Sequence, residues 1–178
     1  QNLKDKGHKA VLTVTPASLR EASLHLGEVP ETSYKPGSLA WADVQPLDPG
    51  TGAVGSKRSF WVVPGGVAIV KRKPAHVRFL VDTGTNQALL VPPKYYASIV
   101  SSLLPNDVFG RLCEARGAVV LCDCSVTEAE LKPLRIYLGD RSFSLTATEL
   151  FAKVHPHDKE VCLLQVRPNP LTQSVLGS

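Results

Sequence analysis

The segment Phe79-Leu80-Val81-Asp82-Thr83-Gly84-Thr85-Asn86 joins an apolar strand to a short acidic turn. Three consecutive apolar residues predict a buried strand, and Asp-Thr-Gly is typical of a turn. The carboxylate of Asp82 is therefore expected at the end of a rigid element, where Gly84 lets the backbone come close to it. The hydroxyl groups of Thr83 and Thr85 can donate to this carboxylate or to its neighbours. An ordinary β-turn also uses these residue types, and the apolar run before them favours a functional site.

Further segments on both sides of this turn follow a recognisable order. Upstream, the range 24–41 runs from Leu-His-Leu-Gly through Tyr34 and Gly-Ser-Leu to Trp41. Downstream, an apolar run leads to a proline before a helix, and the remaining segments are Cys122 or Cys124, a strand over 134–138, Gly139-Asp140, Phe143-Ser-Leu145, Cys162 and Val175-Leu176-Gly177. This order covers nearly all of the chain.

Taken together, these segments resemble the C-terminal lobe of the pepsin-like aspartic proteases. The resemblance implies an all-β fold with one or two short helices, in which residues 1–178 form one lobe of a bilobal enzyme. The N-terminal lobe and the final strands would be absent from this chain. Two positions depart from the family pattern, because Asn86 stands where Ser is typical and Ser178 stands where Asp often follows the Gly.

Peptide hydrolysis by this chemistry needs two facing carboxylates that share one proton, since one must activate water while the other donates a proton. Two like charges at contact distance cannot both form cheaply, so the pKa values of the two carboxyl groups separate, as is well known for the aspartic proteases. Asp82 is the one Asp of this chain in an Asp-Thr-Gly or Asp-Ser-Gly setting. Asp48 and Asp140 lack the apolar strand leading in, and Asp123 is flanked by cysteines. The resemblance therefore implies that the second Asp comes from an N-terminal lobe.

The resemblance also assigns roles to the residues around Asp82, which would be the catalytic carboxylate. Thr83 would interlock with its counterpart across the lobes, and Thr85 would hydrogen-bond the Asp82 side chain. The pocket on the primed side of the scissile bond would be lined by Leu80, Phe60 and Leu176, and Gly84 would support the loop. Apolar residues on strands are nevertheless far more often core than pocket. No cofactor is implied.

Length and composition fit one compact domain, because 178 residues with 43% apolar residues can bury a sizeable core. No run is long and apolar enough to predict a membrane span. The chain contains no Met, and Gln1 to Lys9 lacks the apolar core of a signal peptide. We expect the chain to be a processed or trimmed piece of a longer protein.

The net charge of +4 and the pI near 8.9 raise the question of nucleic-acid binding. The basic residues form short clusters, Lys57-Arg58 and Lys71-Arg72-Lys73, between apolar runs and without interleaved aromatic residues. Such clusters are typical of the solvated ends of hairpins. The sequence therefore predicts no nucleic-acid partner and leaves room for a weak anionic one.

Four cysteines allow three pairings if all are oxidised. The resemblance implies a disulfide from Cys124 or Cys122 to Cys162. Cys113 would then pair with whichever of Cys122 and Cys124 is not bonded to Cys162. Cys122 and Cys124 are two apart on a predicted strand, so one alone can be the direct partner of Cys162. We predict Cys124–Cys162 and Cys113–Cys122, and hence an oxidising location in the secretory pathway, in an endomembrane vesicle or outside the cell.

A zinc site is the alternative for the same cysteines, with His155-Pro-His157 as further ligands. Cys122 and Cys124, like His155 and His157, are separated by one residue, whereas paired zinc ligands are usually separated by two to four residues. We therefore predict no metal site.

Most of the chain has the pattern of short strands with turns between them. Strands are predicted over 9–15, 59–63 and 67–70, with Pro64-Gly65-Gly66 joining the last two as a hairpin and an exposed loop over 46–56. An amphipathic helix is predicted from Pro93 to Leu104, where Pro105 ends it, and a second short helix over 146–153.

Three classes of function remain open from the sequence. The first is half of an aspartic endopeptidase that hydrolyses protein or peptide substrates together with its N-terminal lobe. The second is a retropepsin-like homodimer, against which stand Thr85, where that family has Ala, and the cysteines. The third is a catalytically inactive pepsin-like lobe that acts as a binding or structural partner.

Overall fold

A computed structural model describes residues 11–16, 22–39, 41–45, 60–68, 75–126, 130–154, 160–170 and 173–177. Contacts divide the chain into two compact units, Gln1–Ala40 and Trp41–Ser178. The predicted loop over 46–56, both basic clusters and the two histidines of the zinc alternative lie outside the described residues. In the described part, no helix is long and apolar enough to cross a membrane.

The first unit is built on a hairpin of two strands, β1 (Leu12–Pro16) and β2 (Ala22–Leu26). Gly27 follows β2 with a φ of +88°, a value that suits glycine, and its N–H donates to the carbonyl of Val11 over 2.8 Å. One turn of 3₁₀ helix, Glu31–Ser33, comes after the hairpin. Cross-strand partners Val14 and Leu24 are both exposed, so the ribbon presents an uncovered apolar face.

The second unit contains a seven-stranded and a four-stranded sheet. The larger sheet has the order β12-β5-β13-β4-β3-β8-β9, with strands β3 (Val62–Ala68), β4 (Ala75–Val81), β5 (Leu89–Val91), β8 (Leu134–Leu138), β9 (Arg141–Leu145), β12 (Val166–Pro168) and β13 (Ser174–Leu176). The smaller sheet has the order β10-β11-β7-β6, with strands β6 (Cys113–Arg116), β7 (Val119–Asp123), β10 (Phe151–Lys153) and β11 (Val161–Leu164). The prediction of an all-β fold is confirmed.

Strand β4 supplies the centre of the larger sheet and shows the alternation expected of a half-buried strand. Phe79 is fully buried and Val77 packs against the core, whereas His76 is exposed. β13 runs parallel to β4 and antiparallel to β5, so the last described strand lies between two strands from the middle of the chain. Side chains from both sheets and from the helices form one core cluster around Phe79.

The predicted hairpin at Pro64-Gly65-Gly66 is wrong, because these residues lie inside the continuous strand β3. Gly65 pairs with Val77 of β4 and with Leu138 of β8. A Cβ atom at Gly65 would collide with the carbonyl oxygen of Tyr137 and come within 2.7 Å of the Phe79 ring. The glycine therefore marks close packing within a sheet, which is the other common role of glycine in strands.

Three α-helices complete the described part of the second unit: α1 (Pro93–Leu103), α2 (Asn106–Leu112) and α3 (Ala147–Leu150). The predicted helix from Pro93 is confirmed, and α1 buries Ile99, Val100 and Leu103 at helical spacing. Helix α2 starts directly after Pro105 and is not among the predicted helices.

The second predicted helix starts where expected and ends early. The Thr146 N–H donates to the Glu149 carboxylate over 2.6 Å, and Thr146 and Glu149 form a capping box. The helix stops at Leu150 because Phe151 pairs with Leu164 of β11, so the segment 151–153 is a strand.

The disulfides in the structure are Cys113–Cys122 and Cys124–Cys162, which is the predicted pairing. Cys122 lies in β7 opposite both Cys113 and Cys162. β7 ends at Asp123, where the Ser125 N–H donates to the Asp123 carboxylate over 2.7 Å. Hydrogen bonds from the Ser125 backbone and hydroxyl lower the pKa of Asp123. The turn frees Cys124 from the strand alternation, so it can reach Cys162 although Cys122 is the register partner.

Removal of the long-range disulfide should destabilise the protein more than removal of the hairpin disulfide. The two bonds span 38 and 9 residues, and the chain-entropy estimate gives losses of about 4 and about 2.5 kcal/mol. The comparison is matched, because each pair contains one buried cysteine, Cys162 or Cys122. Urea unfolding of the two double Cys→Ala variants measures the difference. The reverse order, or four free thiols with stoichiometric zinc in the unreduced protein, would contradict the assignment.

Gly65→Ala should destabilise the protein by about 1 to 3 kcal/mol, because the added methyl group has no room between Phe79 and Tyr137. Gly110→Ala is the matched control. Gly110 lies in α2 with nothing within 4 Å of the added carbon, so this change should stabilise the protein by up to about 1 kcal/mol. Urea unfolding midpoints of both variants test the pair, and a Gly65→Ala variant as stable as the parent would argue against the packing described.

Candidate active site

Asp82 follows the last residue of β4 and is held through its backbone from both neighbouring strands. The Val81 N–H donates to the carbonyl of Trp61, just before β3, over 2.9 Å. The Asp82 N–H donates to the carbonyl of Leu176 in β13, also over 2.9 Å. The Asp82 backbone is therefore fixed at the end of the sheet, while its side chain is exposed.

The loop after Asp82 supplies a hydrogen-bond donor to each of its carboxylate oxygens. The Gly84 N–H donates to Oδ1 over 3.0 Å, and the Thr85 hydroxyl donates to Oδ2 over 2.8 Å. The Thr85 N–H donates to the Asp82 carbonyl over 3.1 Å and closes the turn. These bonds fix the plane of the carboxylate, and its remaining lone pairs are directed away from the loop. The Thr85 contact agrees with the role that the family resemblance implies.

The end of β13 packs against this loop through a glycine. A Cβ atom at Gly177 would collide with the carbonyl oxygens of Thr85 and Gln87 and would lie 3.1 Å from the Thr85 methyl group. The Gly177 N–H donates to the carbonyl of Ala88 over 3.3 Å. Any side chain at position 177 would therefore displace the segment that holds the carboxylate.

The three predicted pocket residues lie in different environments. Leu80 on β4 is half-buried, with Val175 of β13 as its register partner. Leu176 is also half-buried, and its carbonyl accepts the bond from Asp82. Phe60 lies before β3 and is 48% exposed. Leu80 and Leu176 lie on adjacent strands beside the Asp82 loop, but Leu176 has Val81 as its partner, so the two side chains point to opposite faces of the sheet. Phe60 lies outside the core.

Trp61 and Val81 are both exposed beside Asp82 and are not among the residues predicted for the site. Trp61 is 66% exposed although it stands in an apolar run, and its carbonyl binds the Val81 N–H. The sequence carries no clear signal for this exposure, because Trp61 directly precedes two apolar residues, Val62 and Val63, that are both buried. Trp61 and Val81, together with Phe60, form an exposed apolar surface at the same end of the sheet as the carboxylate.

Metal chemistry finds no support among the described residues. All four cysteines are in disulfides, so none can supply a thiolate. No group of three or more His, Cys, Asp or Glu side chains is placed to hold an ion within the described ranges. A fixed, exposed carboxylate such as that of Asp82 can act as a general base or acid toward water and a substrate.

Comparison with protein families matches residues 12–178 to the model described as eukaryotic aspartyl protease. Comparison with individual curated proteins gives no match. The family match covers both units of the chain and includes the Asp82 loop, β13 and all four cysteines. The chain therefore belongs to the eukaryotic aspartyl protease family.

Proposed function

We propose that residues 1–178 form the C-terminal lobe of an aspartic endopeptidase and that Asp82 is one of its two catalytic carboxylates. The observation that carries this proposal is the Asp82 loop, in which Gly84 and Thr85 fix an exposed carboxylate at the end of the half-buried strand β4. The family match supports a protease of this kind.

The second carboxylate comes from an N-terminal lobe, either a second chain or another segment of the same protein. Water held between the two carboxylates loses a proton to the ionised one, while the protonated one donates toward the carbonyl oxygen of the scissile bond. Two carboxylates at contact distance titrate as a pair, so the activity profile over pH belongs to the assembled site.

The exposed apolar residues around Asp82 support a second protein surface at this end of the sheet. Trp61, Phe60 and Val81 are 66%, 48% and 37% exposed, respectively. Adjacent large apolar side chains that stay exposed are typical of interaction sites or ligand grooves. Leu80, Phe60 and Leu176 are the substrate-pocket residues of this proposal, with Leu80 and Leu176 on opposite faces at the edge of the sheet. Thr83 contacts the opposite lobe.

The two disulfides and the family fit an extracellular or secretory location, because cytosolic thiols stay reduced. Within that range, the proposal places the enzyme in the secretory pathway, in an endomembrane vesicle or outside the cell. Its substrates are peptides or unfolded proteins, and it needs no cofactor.

The chain alone should show no peptidase activity, because one carboxylate cannot be acid and base in the same step. Addition of an N-terminal lobe with its own Asp-Thr-Gly should produce cleavage with an acidic optimum, measured on a denatured protein between about pH 3 and 6. Robust turnover by the isolated monomer would contradict the two-lobe proposal. Turnover that rises with the square of the chain concentration would favour the homodimer instead.

Asp82→Asn in the assembled enzyme should reduce kcat by several orders of magnitude while the fold survives, because the amide cannot carry the charge that activates water. Asp140→Asn is the control, since Asp140 is an exposed Asp in the turn between β8 and β9. Its kcat should stay within about twofold of the parent. If Asp82→Asn keeps more than about a tenth of the parent kcat, the activation free energy has risen by less than ~1.4 kcal/mol and Asp82 is not catalytic. That result would favour the catalytically inactive lobe that acts as a binding partner.

A further inference from the structure

A groove of about 700 Å³ lies on the larger sheet, away from the Asp82 loop. Its lining includes Gly66 of β3, His76 and Arg78 of β4, Tyr137 of β8, and Lys94 and Tyr95 at the start of α1. The volume is within the range of small-molecule sites. None of these residues takes part in the proposed catalytic chemistry.

The strand register explains why the groove forms at this point. Gly66 has His76 as its partner on β4 and Tyr137 as its partner on β8. The side chains of His76 and Tyr137 therefore point to the same face of the sheet, on either side of Gly66. Because Gly66 has no side chain, the space between the imidazole and the phenol ring stays open. Arg78 lies two residues after His76 and therefore faces the same side.

The charge on this part of the sheet has one sign. Strands β3, β4, β8 and β9 contain one histidine, three arginines and no Asp or Glu. Lys94 adds a further cation from α1, and Arg135 faces the same side as Tyr137. The carboxylate nearest in sequence to the lining is Asp140, in the turn that follows Gly139. A groove with this lining attracts an anion.

The aromatic residues of the groove restrict the kind of anion. Tyr95 and Tyr137 are half-buried, so their rings offer flat apolar surface next to the cations. The Lys94 ammonium lies 4.8 Å from the centre of the Tyr95 ring, which keeps the charge close to that surface. A ligand that carries a ring and an oxyanion would use both features at once.

We propose that this groove binds an aromatic oxyanion, a ring that carries a phosphate or sulfate group. The oxyanion accepts hydrogen bonds from Lys94, Arg78 and His76, and the ring lies against Tyr137 and Tyr95. The site is separate from the catalytic carboxylate. His76 and Arg78 lie six and four residues before Asp82, which corresponds to about 20 and about 13 Å of extended backbone.

Titration of the full 178-residue chain with phenyl phosphate, followed by NMR of the backbone amides, tests the proposal. Saturable shifts are expected at Gly66, His76 and Lys94, and inorganic phosphate should bind at least about tenfold more weakly because it lacks the ring. Lys94→Gln should weaken the binding of phenyl phosphate about tenfold, through loss of a charged hydrogen bond. Lys94→Arg should keep most of the parent's affinity for phenyl phosphate, because it keeps the positive charge.

Lys153→Gln is the matched control, because Lys153 is an exposed lysine on β10 of the other sheet and its loss changes the net charge equally. Its affinity for phenyl phosphate should equal that of the parent. An equal loss in Lys153→Gln and Lys94→Gln would overturn the proposal, because diffuse charge would then explain the binding. Absence of saturable binding at millimolar phenyl phosphate would overturn it as well.

The role of the rings is tested with Tyr137→Leu, with thermal unfolding to check the fold. This variant should bind inorganic phosphate as the parent does and should lose much of the preference for phenyl phosphate. An unchanged preference in a folded variant would overturn the aromatic part of the proposal.

The oxyanion could belong to a free small molecule or to a modified tyrosine in a polypeptide. A short peptide with a phosphotyrosine between glycines, compared with phenyl phosphate, distinguishes the two sources. Binding of that peptide at least tenfold tighter than phenyl phosphate supports the polypeptide source. Equal binding supports the small molecule.

Discussion

The hydrogen bond from the Asp82 N–H to the Leu176 carbonyl is the interaction on which the arrangement of the candidate site depends. It joins residues 94 positions apart in the sequence (176 minus 82), so the site forms after β13 has entered the sheet between β4 and β5. The Gly177 N–H then bonds to the carbonyl of Ala88. The last described strand thus holds the Asp82 loop at both ends.

This arrangement explains how an exposed carboxylate keeps one orientation without burial. The orientation comes from donors within its own loop, Gly84 and Thr85, and the loop is held in turn by close packing against Gly177. A carboxylate fixed in this way stays in contact with water. Such contact is needed in acid-base hydrolysis, where water is the nucleophile and a carboxylate accepts its proton. Rigidity is supplied by the backbone, and the reacting face of the side chain stays open for a partner.

Local patterns in the sequence are sufficient to predict the end of β4, α1 and the start of α3, because an apolar run, helical spacing and residues that suit a helix start act between near neighbours. Long-range contacts decide the rest. Gly65 has the local pattern of a turn, but the atoms that exclude a side chain there belong to Phe79 and Tyr137. Helix α2 escapes prediction because seven residues after a proline give little periodicity. Phe151 fits a helix by its neighbours, and its pairing with Leu164 makes it a strand residue.

Strand β4 carries the groove and the carboxylate at opposite ends, and the register of the sheet keeps the two apart. β3 pairs with β4 from Val62–Leu80 to Val67–Ala75, and β13 pairs with β4 from Phe79 to Val81. A slip of one residue would turn Phe79 out of the core and the charged side chains into it, which is too costly to occur as a switch. A slip of β4 therefore gives a ligand in the proposed groove site no route by which to move Asp82.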